Sequence, residues 1–288
     1  MGKSLQMSST ELIFTIPNRK IAALSNGQTD KPLLLMVHGW LDNAASFTKL
    51  IELLDDFHVI AIDLPGHGKS SHRSADAHYH LLDYVHDLHC LVHAQGWNQF
   101  SIVGHSLGGI ISSMYCAIFP EFVRRFVCIE SAGPLTEPES TSIEQLKKAI
   151  ISRIDTNEKV IKHPKNLESI VQSRQKVSDL NTENATTILQ RNITIDVQSG
   201  AIQWSTDKRL RTISSLRLTQ AQAENLMQGI QCPIHFVLGN RGFSKVNVLI
   251  AQRKALFKDA KLTIVEGGHH VHMEADRLIS EIITQHCS

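Results

Sequence analysis

The stretch Phe100-Ser101-Ile102-Val103-Gly104-His105-Ser106-Leu107-Gly108-Gly109 joins a short apolar run to a helical pattern. We expect a buried strand over Phe100–Val103 and a helix over Leu107–Phe119, which Pro120 ends. The turn between them reads G-x-S-x-G, with Ser106 at its centre. Glycines leave the space that a serine in a strained turn requires, and the helix N-terminus then points at the hydroxyl. The spacing predicts an exposed, nucleophilic Ser106 with the Leu107 amide as an oxyanion donor; an incidental serine in a tight turn is the alternative.

Working outward from this turn, short apolar runs alternate with helical patterns, which is typical of βαβ units and a mostly parallel sheet. Runs without polar alternation indicate strands that are covered on both faces. The predicted strands are Leu12–Ile16, Ile21–Leu24, Leu33–Val37, Val59–Ile62, Phe126–Ile129, Ile234–Leu238 and Leu262–Val265, and the last two predicted helices are Val246–Phe257 and Met273–Thr284. The pattern predicts an α/β fold in which helices flank a central sheet.

The alternation stops between residues 134 and 228, which are polar and mainly helical in pattern. Thr141 with Glu144 predicts a capping box, Asn166 predicts a second helix start, and Ser199-Gly200 predicts the turn of a small hairpin. We therefore expect a core of residues 1–133 and 229–288 and a cap of residues 134–228, inserted between strands 6 and 7. An insertion at this place is expected to cover a site.

Composition excludes several classes of protein. The 288 residues carry a formal net charge of +1, from 29 Lys and Arg against 28 Asp and Glu. This balance argues against a nucleic-acid partner, which requires a strong positive field. No apolar run is long enough to span a bilayer, and the polar start lacks the apolar segment of a signal peptide. We expect a soluble, cytoplasmic protein, with its oligomeric state left open.

A serine hydroxyl needs a base to become nucleophilic. The chain has sixteen histidines, so the candidate base is selected by its position relative to the predicted strands. His269 follows Gly267-Gly268 directly after the last predicted strand, at the same sheet edge as Ser106. His269 is therefore the predicted base. His270 is an alternative, and a metal tract that includes both of them and His272 is another.

A second oxyanion donor is expected at the end of the Leu33–Val37 strand. His38-Gly39-Trp40 follows this strand, and a turn here presents the Trp40 amide to the same oxyanion. An ordinary turn at a strand end is the alternative.

Together these motifs resemble the α/β-hydrolase-fold serine hydrolases, over about residues 10–133 and 229–286. The matching stretches are His38-Gly39-Trp40, Asp63-Leu64-Pro65-Gly66-His67-Gly68-Lys69-Ser70, Gly104 to Gly109 and Gly268-His269. The tail from Gly267 to Glu274 is similar to the serine hydrolase-like subgroup. The resemblance implies a hydrolase without a cofactor or a metal, with its nucleophile, acid and histidine in that chain order.

The chain departs from the family at the acid. Family members usually carry it in a G-x-x-D context, but this chain reads Gly239-Asn240-Arg241-Gly242, and residues 234–258 contain no Asp or Glu. Glu130, at the end of the Phe126–Ile129 strand, is the predicted substitute, because the haloalkane dehalogenases of this fold place a catalytic glutamate at the equivalent strand end. A merely capping or solvated Glu130 and a neutral Asn240 that orients His269 remain alternatives.

The predicted function is hydrolysis of a small-molecule ester, or a thioester, lactone or amide-like bond, by a carboxylesterase-like enzyme with Ser106, His269 and Glu130. C–C bond hydrolysis, cofactor-free oxygenation and a ligand receptor with vestigial activity remain open. A loose basic cluster of Arg209, Arg211 and Arg217 is either a solvated face or attracts an anionic substrate.

Overall fold

The computed structural model describes residues 9–288 of the chain. The first eight residues of the predicted core, and with them most of the polar start, lie outside the described residues. The strands are β1 Thr10–Ile16, β2 Arg19–Ser25, β3 Leu33–Val37, β4 His58–Ile62, β5 Phe100–His105, β6 Val123–Ile129, β7 Ile193–Ile195, β8 Ile202–Trp204, β9 Ile234–Gly239 and β10 Ala260–Val265. Eight of them form one sheet in the order β1-β2-β4-β3-β5-β6-β9-β10. The sheet is parallel from β4 to β10, and β1 and β2 extend it antiparallel. The predicted fold class is confirmed.

Helices cover both faces of this sheet. They are α1 Thr48–Leu53, α2 Leu81–Gln95, α3 Leu107–Ile118, α4 Ser142–Glu158, α5 Leu167–Gln175, α6 Thr182–Arg191, α7 Gln220–Gln228, α8 Ser244–Arg253, α9 Val271–Glu274 and α10 Asp276–Cys287. Side chains alternate across a strand, and in β3 Leu35 and Val37 join the apolar cluster that contains α2 and α3. Leu34 and Met36 join the cluster that contains α1 and α10. Two-sided burial explains why β3 is apolar throughout.

The segment from 134 to 228 lies between β6 and β9, which are the sixth and seventh strands of the large sheet along the chain. The predicted hairpin is present as the antiparallel pair β7–β8, and Asn166 caps α5 by accepting a hydrogen bond from the Ser169 amide. The predicted capping box at Thr141 is wrong. A 3₁₀ turn precedes α4, and the Thr141 hydroxyl donates to the Pro138 carbonyl instead. A capping box that the sequence reading missed is formed by Thr219 and Gln222 at α7.

The predicted helix Met273–Thr284 is divided in two at Ala275, which separates α9 from α10. Within residues 9–288, no helix is both long and apolar enough to cross a membrane.

Candidate active site

Ser106 occupies a strained turn between β5 and α3. Its backbone has φ +51° and ψ −113°, in a region that non-glycine residues rarely adopt. The first turn of α3 crosses the end of β3 so closely that a Cβ on Gly108 would lie 1.9 Å from the Val37 carbonyl oxygen. A Cβ on Gly104 would lie 2.6 Å from the Gly108 carbonyl oxygen. Both glycines are therefore required by the close approach at this turn, which leaves Ser106 half-buried.

This close approach brings Leu107 next to the loop that follows β3. Leu107 is the first residue of α3, so no earlier residue of the helix offers its amide a carbonyl partner. The Trp40 side chain is half exposed, and its Nε1 donates to the Leu210 carbonyl of the inserted segment at 2.9 Å. The structure thus places the two predicted oxyanion donors at the C-terminal edge of the sheet, Trp40 in the loop after β3 and Leu107 at the start of α3.

His38 gives the β3 loop its shape. The Leu64 amide donates to His38 Nε2 at 2.9 Å, so the proton lies on Nδ1, which donates to the Gly39 carbonyl at 2.7 Å. Burial lowers the pKa of His38 to about 4 and keeps this tautomer neutral. His38 therefore supports the loop of Trp40 from below.

The structure brings His269 and Glu130 together. His269 Nδ1 lies 3.0 Å from Glu130 Oε2, and the glutamate is almost fully buried. The carboxylate also accepts hydrogen bonds from the amides of Gly239, at 2.7 Å, and Phe243, at 3.3 Å. The Phe243 ring stacks on the imidazole, with centroids 4.0 Å apart. Glu130 itself has φ +51°, so a second strained residue lies at this site.

The loop of His269 is tied to the turn of Ser106 through His105. His105 Nε2 donates to the His269 carbonyl at 2.9 Å, and the two rings are 4.9 Å apart. Among residues 9–288, the Ser106 hydroxyl and His269 form no hydrogen bond in this arrangement. Such contacts often tighten only when substrate binds.

The alternatives from the sequence lie elsewhere. Asn240 Oδ1 accepts from the Gly267 amide and so shapes the loop, whereas the His269 ring faces Glu130. His270 has both ring nitrogens directed at Asp42 and Asp179, so it is not free to act as a base. Nowhere in the described part of the chain do His, Cys, Asp and Glu side chains group so as to hold a metal ion.

The basic residues of the insert do not form one patch. Arg209 is buried and makes several hydrogen bonds to the Asp207 carboxylate, and Arg217 pairs with Glu137 at 3.3 Å. Arg211 is exposed and lines a cleft of about 370 Å³ within the insert. None of the predicted site residues lines this cleft, so it is separate from the site around Ser106.

The sequence reading missed the charged groups beside His270. Asp42 lies two residues after Trp40 and is 1% exposed, and it is contacted by Arg174 from the insert. Its nearness to the His38-Gly39-Trp40 motif was the available signal. Nothing local marks Arg174 or Asp179, because their partners come from distant parts of the chain.

Known proteins similar to this chain share both its sequence and its fold. A family profile described as the alpha/beta hydrolase fold matches residues 32–276. Serine hydrolase-like protein 2 of Homo sapiens is 32% identical over 298 residues, which cover 96% of this chain and 93% of that protein. The serine hydrolase-like protein of Danio rerio is 28% identical, and the match covers 98% of this chain and 89% of that protein.

Solved structures agree with these relatives. The crystal structure of a hypothetical protein from Pseudomonas aeruginosa PAO1 has a TM-score of 0.85 and 31% identity, with 96% of both chains covered. The thioesterase domain from the curacin biosynthetic pathway has a TM-score of 0.83 at 23% identity, covering 96% of this chain and 99% of that one, and shares the fold. The chain belongs to the alpha/beta hydrolase fold family and is a hydrolase of the serine hydrolase-like group.

Proposed function

We propose that the protein hydrolyses a small-molecule carboxylic ester, or a thioester, lactone or amide-like bond, through an acyl-enzyme on Ser106. The observation that carries this proposal is the 3.0 Å contact between His269 Nδ1 and Glu130 Oε2. A carboxylate at this nitrogen keeps the proton on Nδ1 and leaves the lone pair of Nε2 for the serine hydroxyl. The tie between His105 and the His269 carbonyl supports a productive position of the base beside Ser106.

In the first half of the proposed reaction, Ser106 Oγ attacks the acyl carbon while His269 Nε2 takes the hydroxyl proton. The carbonyl electron pair moves to its oxygen, and the amides of Trp40 and Leu107 stabilise this oxyanion. When the intermediate collapses, the bond to the leaving group breaks and the imidazolium returns its proton to that group. Glu130 stays ionised and stabilises the imidazolium.

In the second half, His269 takes a proton from water, and the hydroxide adds to the acyl carbon. Collapse breaks the bond to Ser106 Oγ, which regains its proton from His269 and releases a carboxylic acid. The atoms of the ester and of one water are then divided between an alcohol and an acid.

The segment from 134 to 228 is proposed to act as a cap that limits the substrate range. Two contacts support this role: the Trp40 indole donates to Leu210, and Arg174 pairs with Asp42 at 2.8 Å. Both connect the insert to the loop that carries the proposed oxyanion donor. Exchange of the segment should change the preferred acyl chain length and leave Ser106 able to react.

Fluorophosphonate labelling combined with a p-nitrophenyl ester series of increasing chain length tests the proposal. Ser106→Ala should lose all labelling, and both it and His269→Ala should lower turnover by roughly 10³-fold or more, with little further loss in the double variant. Ser112→Ala is the matched control, because Ser112 lies on α3, and its buried hydroxyl has no partner among the described residues.

Labelling of a folded Ser106→Ala variant would disprove the nucleophile. Labelling of the wild type without turnover of any ester would favour a ligand receptor. Consumption of oxygen with a substrate would favour the oxygenase alternative.

A further inference from the structure

His270 lies between two carboxylates that come from opposite sides of the candidate site. Its Nε2 is 3.2 Å from Asp42 Oδ2 in the β3 loop, and its Nδ1 is 2.6 Å from Asp179 Oδ1 in the insert. The other oxygen of Asp179 accepts from the His270 amide at 3.0 Å. His270 and Asp42 are almost fully buried, at 4% and 1% exposure, whereas the Asp179 side chain is partly exposed.

This arrangement requires a doubly protonated ring. A neutral imidazole has one donor and one lone pair, and the lone pair would face a carboxylate oxygen. With both nitrogens donating, His270 carries a positive charge. Although burial lowers the pKa of His270, the carboxylates of Asp42 and Asp179 raise it overall, to about 9.

A second cation from the insert completes the group. Arg174, at the end of α5, donates to Asp42 Oδ1 at 2.8 Å. We call Arg174, Asp42, His270 and Asp179 the clamp, in which positive and negative groups alternate. Its formal charges cancel, so the buried Asp42 and His270 each have an oppositely charged partner, while Arg174 and Asp179 reach the surface.

Two of the other histidines that face the clamp, His105 and His272, are held neutral by burial. His105 Nδ1 lies 3.7 Å from Asp42 Oδ2, and the His272 ring is 6.2 Å from that of His270. Burial lowers the pKa of both, to about 3 for His272. The His269 ring lies 5.4 Å from that of His270, edge to face, and its Nδ1 is directed at Glu130.

A side chain at either of two motif glycines would meet a clamp carboxylate, and at Gly39 it would also meet His105 Nδ1, at 2.9 Å. A Cβ on Gly268 would lie 2.1 Å from Asp179 Oδ2, and a Cβ on Gly39 would lie 2.9 Å from Asp42 Oδ2. Gly268 precedes the proposed base His269, and Gly39 precedes the proposed oxyanion donor Trp40. The two loops are therefore shaped to admit the clamp carboxylates.

We propose that His270 is a positioning residue, whose positive charge holds the insert against the loops of Trp40 and His269 and keeps the site aligned. When His270 loses its proton, two carboxylates face one neutral ring, and the attachment of the Asp179 segment to these loops weakens. The kinetic consequence rests on the proposed function, whereas the charge state and the attachment of the insert do not.

The first test uses the wild-type protein and needs no substrate. Titration of the histidine ring protons by NMR should give His270 a pKa near 9, and backbone hydrogen exchange in residues 167–191 should rise, beyond its intrinsic increase, across the same pH range. An ordinary pKa near 6.5 for His270 would overturn the proposal. Hydrogen exchange in residues 167–191 that does not change as His270 titrates would overturn it as well.

The second test compares two carboxylate variants of the insert. Asp179→Asn removes one charge from the clamp and should lower the pKa of His270 by about one unit or more. The pH at which Ser106 labelling by fluorophosphonate declines on the alkaline side should fall by the same amount. At the pH of greatest difference, the variant should be labelled roughly 10- to 100-fold more slowly than the wild type. Below the pH of its own decline, the variant should be labelled at a nearly normal rate. The control Glu183→Gln breaks an exposed pair of the insert with Lys49, 3.1 Å apart, and should leave the decline at the wild-type pH.

An alkaline decline at the same pH in wild type and Asp179→Asn would refute the positioning role. If the wild type is not labelled at all, the proposed function fails, while the titration and the hydrogen exchange still decide the clamp. If Asp179→Asn does not fold, the wild-type experiment decides alone.

Discussion

Glu130 occupies the space that a side chain at residue 242 would need. A Cβ on Gly242 would lie 2.3 Å from Glu130 Oε1, so the carboxylate and a larger residue 242 exclude each other. In the family that the chain resembles, the acid stands at the fourth position of G-x-x-D, which is Gly242 here. The carboxylate beside His269 thus comes from one strand nearer to Ser106, and the glycine leaves room for it.

Glu130→Gln should fold normally and lose roughly 10²–10⁴ in kcat, because an amide neither stabilises the imidazolium nor enforces the right tautomer. Steady-state ester hydrolysis and the labelling rate of Ser106 measure the loss. Glu266→Gln, which removes an exposed carboxylate just before the His269 loop, is the control and should be nearly unchanged. Near-normal kinetics for Glu130→Gln would reject its role as the acid.

Returning the acid to position 242 should partly restore activity, provided that residue 130 is made small. We expect Glu130→Ala with Gly242→Asp to exceed Glu130→Ala in kcat. Gly242→Asp alone should be less stable than wild type, because its side chain meets the Glu130 carboxylate. Kinetics and thermal unfolding of the three variants test this. A double variant no faster than Glu130→Ala would show that the two positions do not share one role.

The packing of α3 against β3 is a contact between elements on which the site depends. It brings Ser106, Leu107 and the loop of Trp40 together, and it leaves no room for a side chain at Gly108. An added methyl group would force the helix away from the Val37 carbonyl. Replacement of one Gly108 hydrogen atom by a methyl group would thus displace the whole of α3.

Gly108→Ala should therefore lower the free energy of unfolding by about 3 kcal/mol or more, as for severe overpacking. Urea unfolding measures this change. The control is Gly229→Ala, since Gly229 has an ordinary φ of −71° and a Cβ there would approach no atom closer than 3.1 Å. A loss at Gly108 no larger than at Gly229 would contradict the close packing.

Across the whole molecule, several histidines are held neutral by burial. His38, His67 and His272 are all fully buried, and their pKa values are lowered to about 4, 3 and 3. In the unfolded chain they titrate near 6.5. As the pH falls below 6.5, these histidines bind protons in the unfolded state but not in the folded state, so the free energy of unfolding falls. The pH dependence of the stability that His270 contributes has the opposite sign. This contribution is fully present below pH 6.5 and is lost as the pH rises through about 9.

We expect the free energy of unfolding to fall between pH 7 and pH 5 by about 2 kcal/mol for each of these three buried histidines. Urea unfolding at a series of pH values measures the slope. His272→Phe should reduce the slope, because neither ring nitrogen of His272 has a partner among the described residues, and its ring packs against Phe47. A flat profile down to pH 5 would contradict the neutral, buried state.

Local patterns in the sequence were sufficient for the order of elements and for the turn of Ser106. The apolar run of β5, the glycines and the start of α3 adjoin one another, so spacing alone predicts their geometry. The choice of His269 used only its place after the last strand. Glu130 was predicted because residues 234–258 contain no carboxylate, and because haloalkane dehalogenases of the fold that the chain resembles carry a catalytic glutamate at the equivalent strand end.

Tertiary structure alone decided which groups touch. The sequence does not show that the Glu130 carboxylate fills the space beside Gly242, or that Thr141 bonds backward to Pro138 instead of capping α4. The clamp is the strongest example, since Asp42 and His270 are separated by 228 positions and Asp179 lies in an insert without motifs. Hydrophobic periodicity reports which face of an element is buried, whereas the pairing of buried charges depends on how distant elements pack, and no local pattern records it.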